Sequence, residues 1–205
     1  EMAELYTAIF ELIQPGSELG WFGPDATLLH TANFNLEQAK LWSSLAKREA
    51  NIDQNVLETT HSYWPLIRIM WGDKVFDWND DRMRDWWQLI NKTNPSKARE
   101  VASLLYNLLR VLGDTVSPDL RAALVGPNSS NRATKTIVNN QFSIETAAKA
   151  GNLAETITLI LISLDKTEFT TLSTSELILI VDSVNKLGLR EEARKLAFEI
   201  MISQL

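Results

Sequence analysis

Apolar residues between Leu172 and Ser203 recur at the spacing of two helices joined by one glycine. Leu177, Ile180, Val181, Val184 and Leu187 draw a single stripe at helical intervals. Ser173 stands in front of them with Glu176 three residues on, the pattern of a capping box that satisfies the first free amides of a helix. Gly188 suits the left-handed position that ends a helix, where a missing Cβ removes the steric cost. Beyond it Ala193, Leu196, Ala197, Ile200 and Met201 share one face, and Arg190, Glu191, Arg194, Lys195 and Glu199 share the other. So short a turn predicts an antiparallel αα-hairpin.

The same grammar surrounds Gly151. Ala133, Ile137, Ile144 and Ala148 precede it, and Leu153, Ile157, Ile160, Leu161 and Leu164 follow. Gly113 lies between a helix expected over Pro95–Leu112 and a shorter one over Pro118–Val125. Gly72 lies between Tyr63–Trp71 and Asp80–Ile90. Successive glycines of this set are 37 to 41 residues apart. A helix pair at that period belongs to α-solenoid repeats, although only the last two units share residues beyond the glycine. The expected fold is therefore all-α, with αα-hairpins stacked as a short α-solenoid-like array, or with the same hairpins gathered into a compact helical bundle. Thr156–Ser163 alternates β-branched residues in a way that also fits a strand. The flanking glycine and the match to the last hairpin favour a helix.

Gly151-Asn-Leu-Ala-Glu-Thr and Gly188-Leu-Arg-Glu-Glu-Ala resemble the opening of the second helix in tetratricopeptide-like repeats. The Trp-x2-Leu-Gly-x2-Tyr portion and the closing proline of that repeat are absent. The stretch from Leu187 to Glu199 also resembles the C-terminal end of uncharacterised, exported helical proteins of alphaproteobacteria, over roughly the last sixty residues. The first resemblance implies stacked helical hairpins that bind proteins. The second implies a bacterial, periplasmic or secreted setting and no activity.

Upstream, Leu5, Ile9, Phe10 and Ile13 give a helix over Glu1–Ile13 that Pro15-Gly16 ends. Residues 17–35 read as a long connection broken by Gly20, Gly23 and Pro24, with one helical turn around Ala26–His30. Asn35 and Gln38 form a second capping box, opening a helix to about Glu49 with Leu36, Ala39, Trp42, Leu45 and Ala46 inward. After Asp53 a helix runs to His61 and restarts near Ser62, where Pro65 falls in a first turn. From Tyr63 to Trp71 the only charged residue is Arg68, so this segment belongs in a core and Arg68 needs Asp73 or Asp77 as partner. Pro127–Asn131 is the clearest break. It divides one domain into a tryptophan-rich part, 1–126, and a part of two helical hairpins, 127–205.

Composition narrows the function classes. A net charge of −6 lacks the basic surface that nucleic acids require. The chain has no cysteine, which removes disulfides, thiolate catalysis and cysteine-rich zinc sites. No apolar run approaches the ~20 residues of a membrane-spanning helix. Glu1 is not an initiator residue, so a mature form or an excised fragment is expected. The two histidines, His30 and His61, are far apart, and no HExxH, G-x-S-x-G or Walker A pattern occurs. Asp77-x-Asn79-x-Asp81 imitates the start of an EF-hand loop, but Arg82 and Gln88 occupy the glycine and glutamate positions. No catalytic residue, cofactor or metal ligand is expected. An enzyme of unidentified type is the third reading, since a carboxylate pair is set by three-dimensional distance rather than by spacing.

Seven tryptophans all precede residue 88. Met83, Trp86, Trp87 and Ile90 share one helical stripe, and Trp64 and Trp71 are one heptad apart, which marks them as core. Trp21 and Trp78 lie in expected loops, where recognition residues concentrate. They are the candidate partner-binding residues. The expected role is a non-catalytic scaffold for a protein or peptide, with a helical glycan- or ligand-binding domain as the alternative. The hairpin itself is open to test. Ala197→Glu places a charge on the inward stripe and should cost several kcal/mol, read as a lowered midpoint in chemical denaturation; an unchanged midpoint would put Ala197 outside the core.

Overall fold

The computed structural model describes residues 13–77, 79–125, 138–165 and 167–204. Among them are ten α-helices and no strand, so the protein is all-α. The helix expected before Ile13 and the break at 127–131 lie outside the described residues. The chain forms two compact units, Glu1–Leu89 and Ile90–Leu205.

The first unit holds a 3-10 turn at Ser17–Phe22, α1 (Gly23–Ala32), α2 (Leu36–Glu49), α3 (Gln54–Trp71), a second 3-10 turn at Gly72–Lys74, and most of α4 (Asp80–Thr93). Helix α1 packs on both α2 and α3, and α2 packs on α3. More of this stretch is helical than its glycines and proline imply. The reason is Pro24, which occupies the first turn of α1, where no amide hydrogen is needed. Gly23 is buried, and a Cβ there would meet the backbone nitrogen of Ala46 at 2.8 Å. This glycine serves close helix approach rather than a break.

Helix α3 is continuous, without the expected restart near Ser62. Pro65 sits inside it, at the loss of one backbone hydrogen bond. Burial of Trp64, Leu66, Ile67, Ile69 and Met70 around the proline offsets that loss. Polar ties fasten α3 to α1: the Trp71 indole nitrogen donates to Thr31 Oγ1 at 3.1 Å, and the Tyr63 hydroxyl donates to Asp25 Oδ1 at 3.1 Å.

Arg68 is buried within α3 and bonds Asp73, as the sequence requires, and donates to the Phe76 carbonyl at 2.8 Å. Lys47 of α2 donates to the neighbouring Val75 carbonyl at 3.2 Å. The Phe76 ring lies under Lys47 Nζ at 4.5 Å and under the Arg82 guanidinium at 5.1 Å. The segment after α3 is thus tied down by three cations. Asn79 follows and caps α4 by accepting from the Asp81 and Arg82 amides, a structural use for the acidic run.

The second unit comprises α5 (Pro95–Val111), α6 (Pro118–Val125), α7 (Val138–Lys149), α8 (Leu153–Leu164), a 3-10 turn at Phe169–Thr171, α9 (Thr174–Lys186) and α10 (Arg190–Gln204). Thr156–Ser163 lies within a helix. Asn152 caps it by accepting from the Glu155 amide, and the Thr156 and Thr158 hydroxyls bond carbonyls four residues back. The Ser173–Glu176 capping box opens α9. Helix α9 is the centre of this unit, touching α5, α7, α8 and α10. Ala193 and Ala197 of α10 are wholly buried. Phe198 is buried too, although it lies off the expected stripe, because α10 packs on α5 as well as on α9.

Helix ends explain the turns. All four glycines singled out by their spacing have positive φ: Gly72 at 58°, Gly113 at 96°, Gly151 at 71° and Gly188 at 83°. At Gly113 and Gly151 the paired bonds of a Schellman motif are present: Gly113 to Arg110 and Asp114 to Leu109, Gly151 to Ala148 and Asn152 to Ala147. A fifth reversal carries no glycine. Phe34, at φ 57°, donates to Thr31, and Asn35 donates to His30 at 2.8 Å. That last bond engages the Asn35 amide, so the Asn35 side chain accepts from Gln38 while its own amide is held by the preceding helix.

A ranking of backbone substitutions follows from these contacts. A Cβ at Gly188 meets nothing within 4 Å, so Gly188→Ala should cost only the left-handed strain of about 1 kcal/mol. Gly23→Ala should cost more, because it drives α1 off α2. Phe34→Gly relieves left-handed strain of about 1–2 kcal/mol against about 0.5–1 kcal/mol of added unfolded-state entropy, so it should cost less than either glycine substitution. Denaturant midpoints of the three variants check the order, and equal losses at Gly188 and Gly23 would contradict it.

Candidate interaction surface

Of the two candidate partner-binding tryptophans, Trp78 lies outside the described residues. Trp21 is described, and it is 62% exposed. It sits in the 3-10 turn ahead of α1, where three residues make a turn and neighbouring side chains point about 120° apart. Phe22 turns inward and meets Trp42 edge-on, with ring centroids 5.8 Å apart and planes at 82°. Ile13, Leu19 and Phe22 pack against the buried cluster of Ala26, Trp42 and Leu45. Trp21 turns outward, braced by the Phe22 ring at 5.7 Å.

Glycine again permits this arrangement. Gly20 is buried, and a Cβ on it would lie 2.4 Å from Glu49 Oε2. The Trp21 platform therefore rests on the end of α2, with a carboxylate at its base. Three residues beyond Glu49, Ile52 is also exposed, and its amide bonds the Glu49 carbonyl at 2.8 Å.

The other described tryptophans serve the core. Trp42, Trp64 and Trp86 are almost wholly buried, while Trp71 and Trp87 are half-buried. The Trp86–Trp87 pair is accordingly split, one ring inward and one at the margin. The Trp42 indole nitrogen finds no hydrogen-bond acceptor, so that ring contributes through its apolar surface.

The two histidines lie in different settings. His30 is buried in α1. His61 lies 3.8 Å from Asp85. Burial lowers the His61 pKa, with Arg82 in the same direction, against the opposing pull of Asp85 and Glu58. Lys47 is likewise lowered, by burial and then by Arg82, with Asp77 opposing. No group of three or more His, Cys, Asp or Glu among the described residues is placed to hold a metal ion. No described helix is long and apolar enough to cross a membrane.

No family model, curated protein or solved structure matches this chain.

The depressed His61 pKa has a consequence for stability. The folded state favours the neutral ring, so this contribution is complete above about pH 6.5 and is lost as pH falls below it. His61→Gln should therefore flatten the fall in melting temperature between pH 7 and pH 5.5, and an identical fall in both proteins would remove His61 as its source. The tryptophans separate in the same assay: Trp86→Ala should lower the melting temperature sharply, as loss of a buried ring costs about 3–5 kcal/mol, while Trp21→Ala should leave it unchanged.

Proposed function

We propose that the protein is a non-catalytic interaction module whose first unit presents Trp21 to a peptide or protein partner. The observation that carries this reading is the outward indole, 62% exposed and braced by the Phe22 ring. A large aromatic ring in solvent on a fixed platform is the usual anchor of an interface. Tetratricopeptide-like hairpins, if the second unit descends from them, serve the same class of role.

Charge gives the partner's character. The first unit carries 14 acidic and 7 basic residues over 1–89. Glu18 is exposed three residues before Trp21, and the Glu49 carboxylate lies against Gly20. A peptide with an apolar anchor and basic residues complements that surface, and its association should weaken with salt. The same indole also suits stacking on a sugar, which is the second reading.

Parallel selections against the intact chain, from a random peptide library and from a glycan array, separate the two. The expected result is enrichment of basic peptides whose affinity drops by about tenfold or more, some 1.4 kcal/mol, in Trp21→Ala. Glycans bound through Trp21, with no peptide enriched, would favour the sugar reading. Ligands indifferent to Trp21→Ala would end both.

A further inference from the structure

The second unit holds a small cavity of about 120 Å³ where α5, the 3-10 turn, α9 and α10 come together. Val101 and Leu104 of α5, Leu172 after the 3-10 turn and Leu177 of α9 are buried there and give it an apolar floor. Lys97 and Glu100 of α5, Thr174 at the start of α9 and Gln204 at the end of α10 form a polar mouth. An apolar floor with a few converging polar groups is the ordinary make-up of a small-ligand site. A protein cavity of ~150 Å³ takes up benzene, so an occupant here has about six heavy atoms.

The polar groups of this mouth are unspent. Among the described residues neither Lys97 nor Glu100 forms an ion pair, although they stand one turn apart on α5. Lysine before glutamate is the order that pairs less well. The Thr174 hydroxyl makes no hydrogen bond among the described residues. Gln204 donates from its side-chain nitrogen to the Phe169 carbonyl at 3.1 Å and to Ser203 Oγ at 3.3 Å. Its side-chain oxygen is left as an acceptor, and the bond to Phe169 holds the 3-10 turn against the end of α10. Thr170, the other hydroxyl at the cavity, already donates to Glu168 Oε2 at 3.3 Å.

A cation and a carboxylate at one mouth discriminate by charge. An anion is drawn to Lys97 and opposed by Glu100, and a cation the reverse, whereas a zwitterion satisfies both. We infer that this cavity binds a small free α-amino acid of the size of alanine. Lys97 meets its carboxylate, which also accepts from the Thr174 hydroxyl. Its ammonium donates to Glu100 and to the Gln204 side-chain oxygen, and its methyl group rests on the apolar floor. Lys97 and Glu100 are exposed, so solvent weakens both charge contacts and the complex forms in the millimolar range. The site belongs to the second unit and stands apart from the Trp21 reading.

Titration of the full chain with L-alanine, followed by amide chemical shifts, should show saturable changes at Thr174 and Gln204. Lys97→Met and Glu100→Gln should each raise the dissociation constant at least about tenfold, with the melting temperature unchanged. Arg99→Met, on the same helix and exposed but outside the cavity, should leave binding as it is. Acetate and methylamine, which carry one charge each, should bind far more weakly than alanine, and L-tryptophan should be excluded by its size. Shifts that never saturate would mean a cavity that holds water only, and would overturn the proposal. So would acetate or methylamine binding as tightly as alanine, or an affinity for alanine unaltered in both variants. If Lys97→Met lowers the melting temperature, Glu100→Gln decides alone.

Discussion

A helix that ends inside a compact unit must find donors for its last carbonyl groups, and that demand governs where this chain turns. The end of α5 shows the full accounting. The Gly113 and Asp114 amides satisfy Arg110 and Leu109, and the Asn185 side chain donates to the Val111 carbonyl at 2.8 Å. Arg194 reaches the Leu112 carbonyl at 3.4 Å. The first two donors come from the turn and the last two from the final hairpin. The half-buried end of α5 is thus closed partly by its own turn and partly by α9 and α10.

The first unit meets the same demand with different chemistry. Phe34 takes the left-handed position between α1 and α2 despite its Cβ. After α3 the chain is tied by Arg68, whose guanidinium reaches Asp73 and the Phe76 carbonyl. A buried guanidinium is stable only when hydrogen-bonded. It therefore specifies the path of the following loop rather than adding much net stability. Because Phe76 is in turn flanked by Lys47 and Arg82, the loop is tied to α2 and to the start of α4 at the same residues.

What remains on the surface is the apolar residue that neither demand consumes. Trp21 faces outward while Phe22 beside it faces inward to Trp42, as neighbouring residues of a 3-10 turn point about 120° apart. Leu161 and Ile162 are exposed because α8 has apolar residues on more sides than α7 and α9 cover. Both features arise from local backbone geometry acting on an apolar-rich sequence.

Much of the helical outline was legible in the residues themselves. The Ser173–Glu176 box, the four glycines of positive φ, the start of α5 at Pro95 and the need of Arg68 for Asp73 are local matters, settled by sterics or hydrogen bonding within a few residues. Phe34 was hidden because a left-handed phenylalanine carries no compositional mark. Gly20 and Gly23 read as breaks because sequence alone does not distinguish a glycine that frees the backbone from one that admits Glu49 or Ala46. Periodicity gave α8 its helix and its apolar character, yet could not say which stripe would be covered. Nor did it indicate that α9 would be the common neighbour of α5, α7, α8 and α10. Local hydrogen bonding and steric allowance are written in neighbouring residues, whereas partner choice among similar apolar stripes depends on which ones meet in space, and only the tertiary structure decides that.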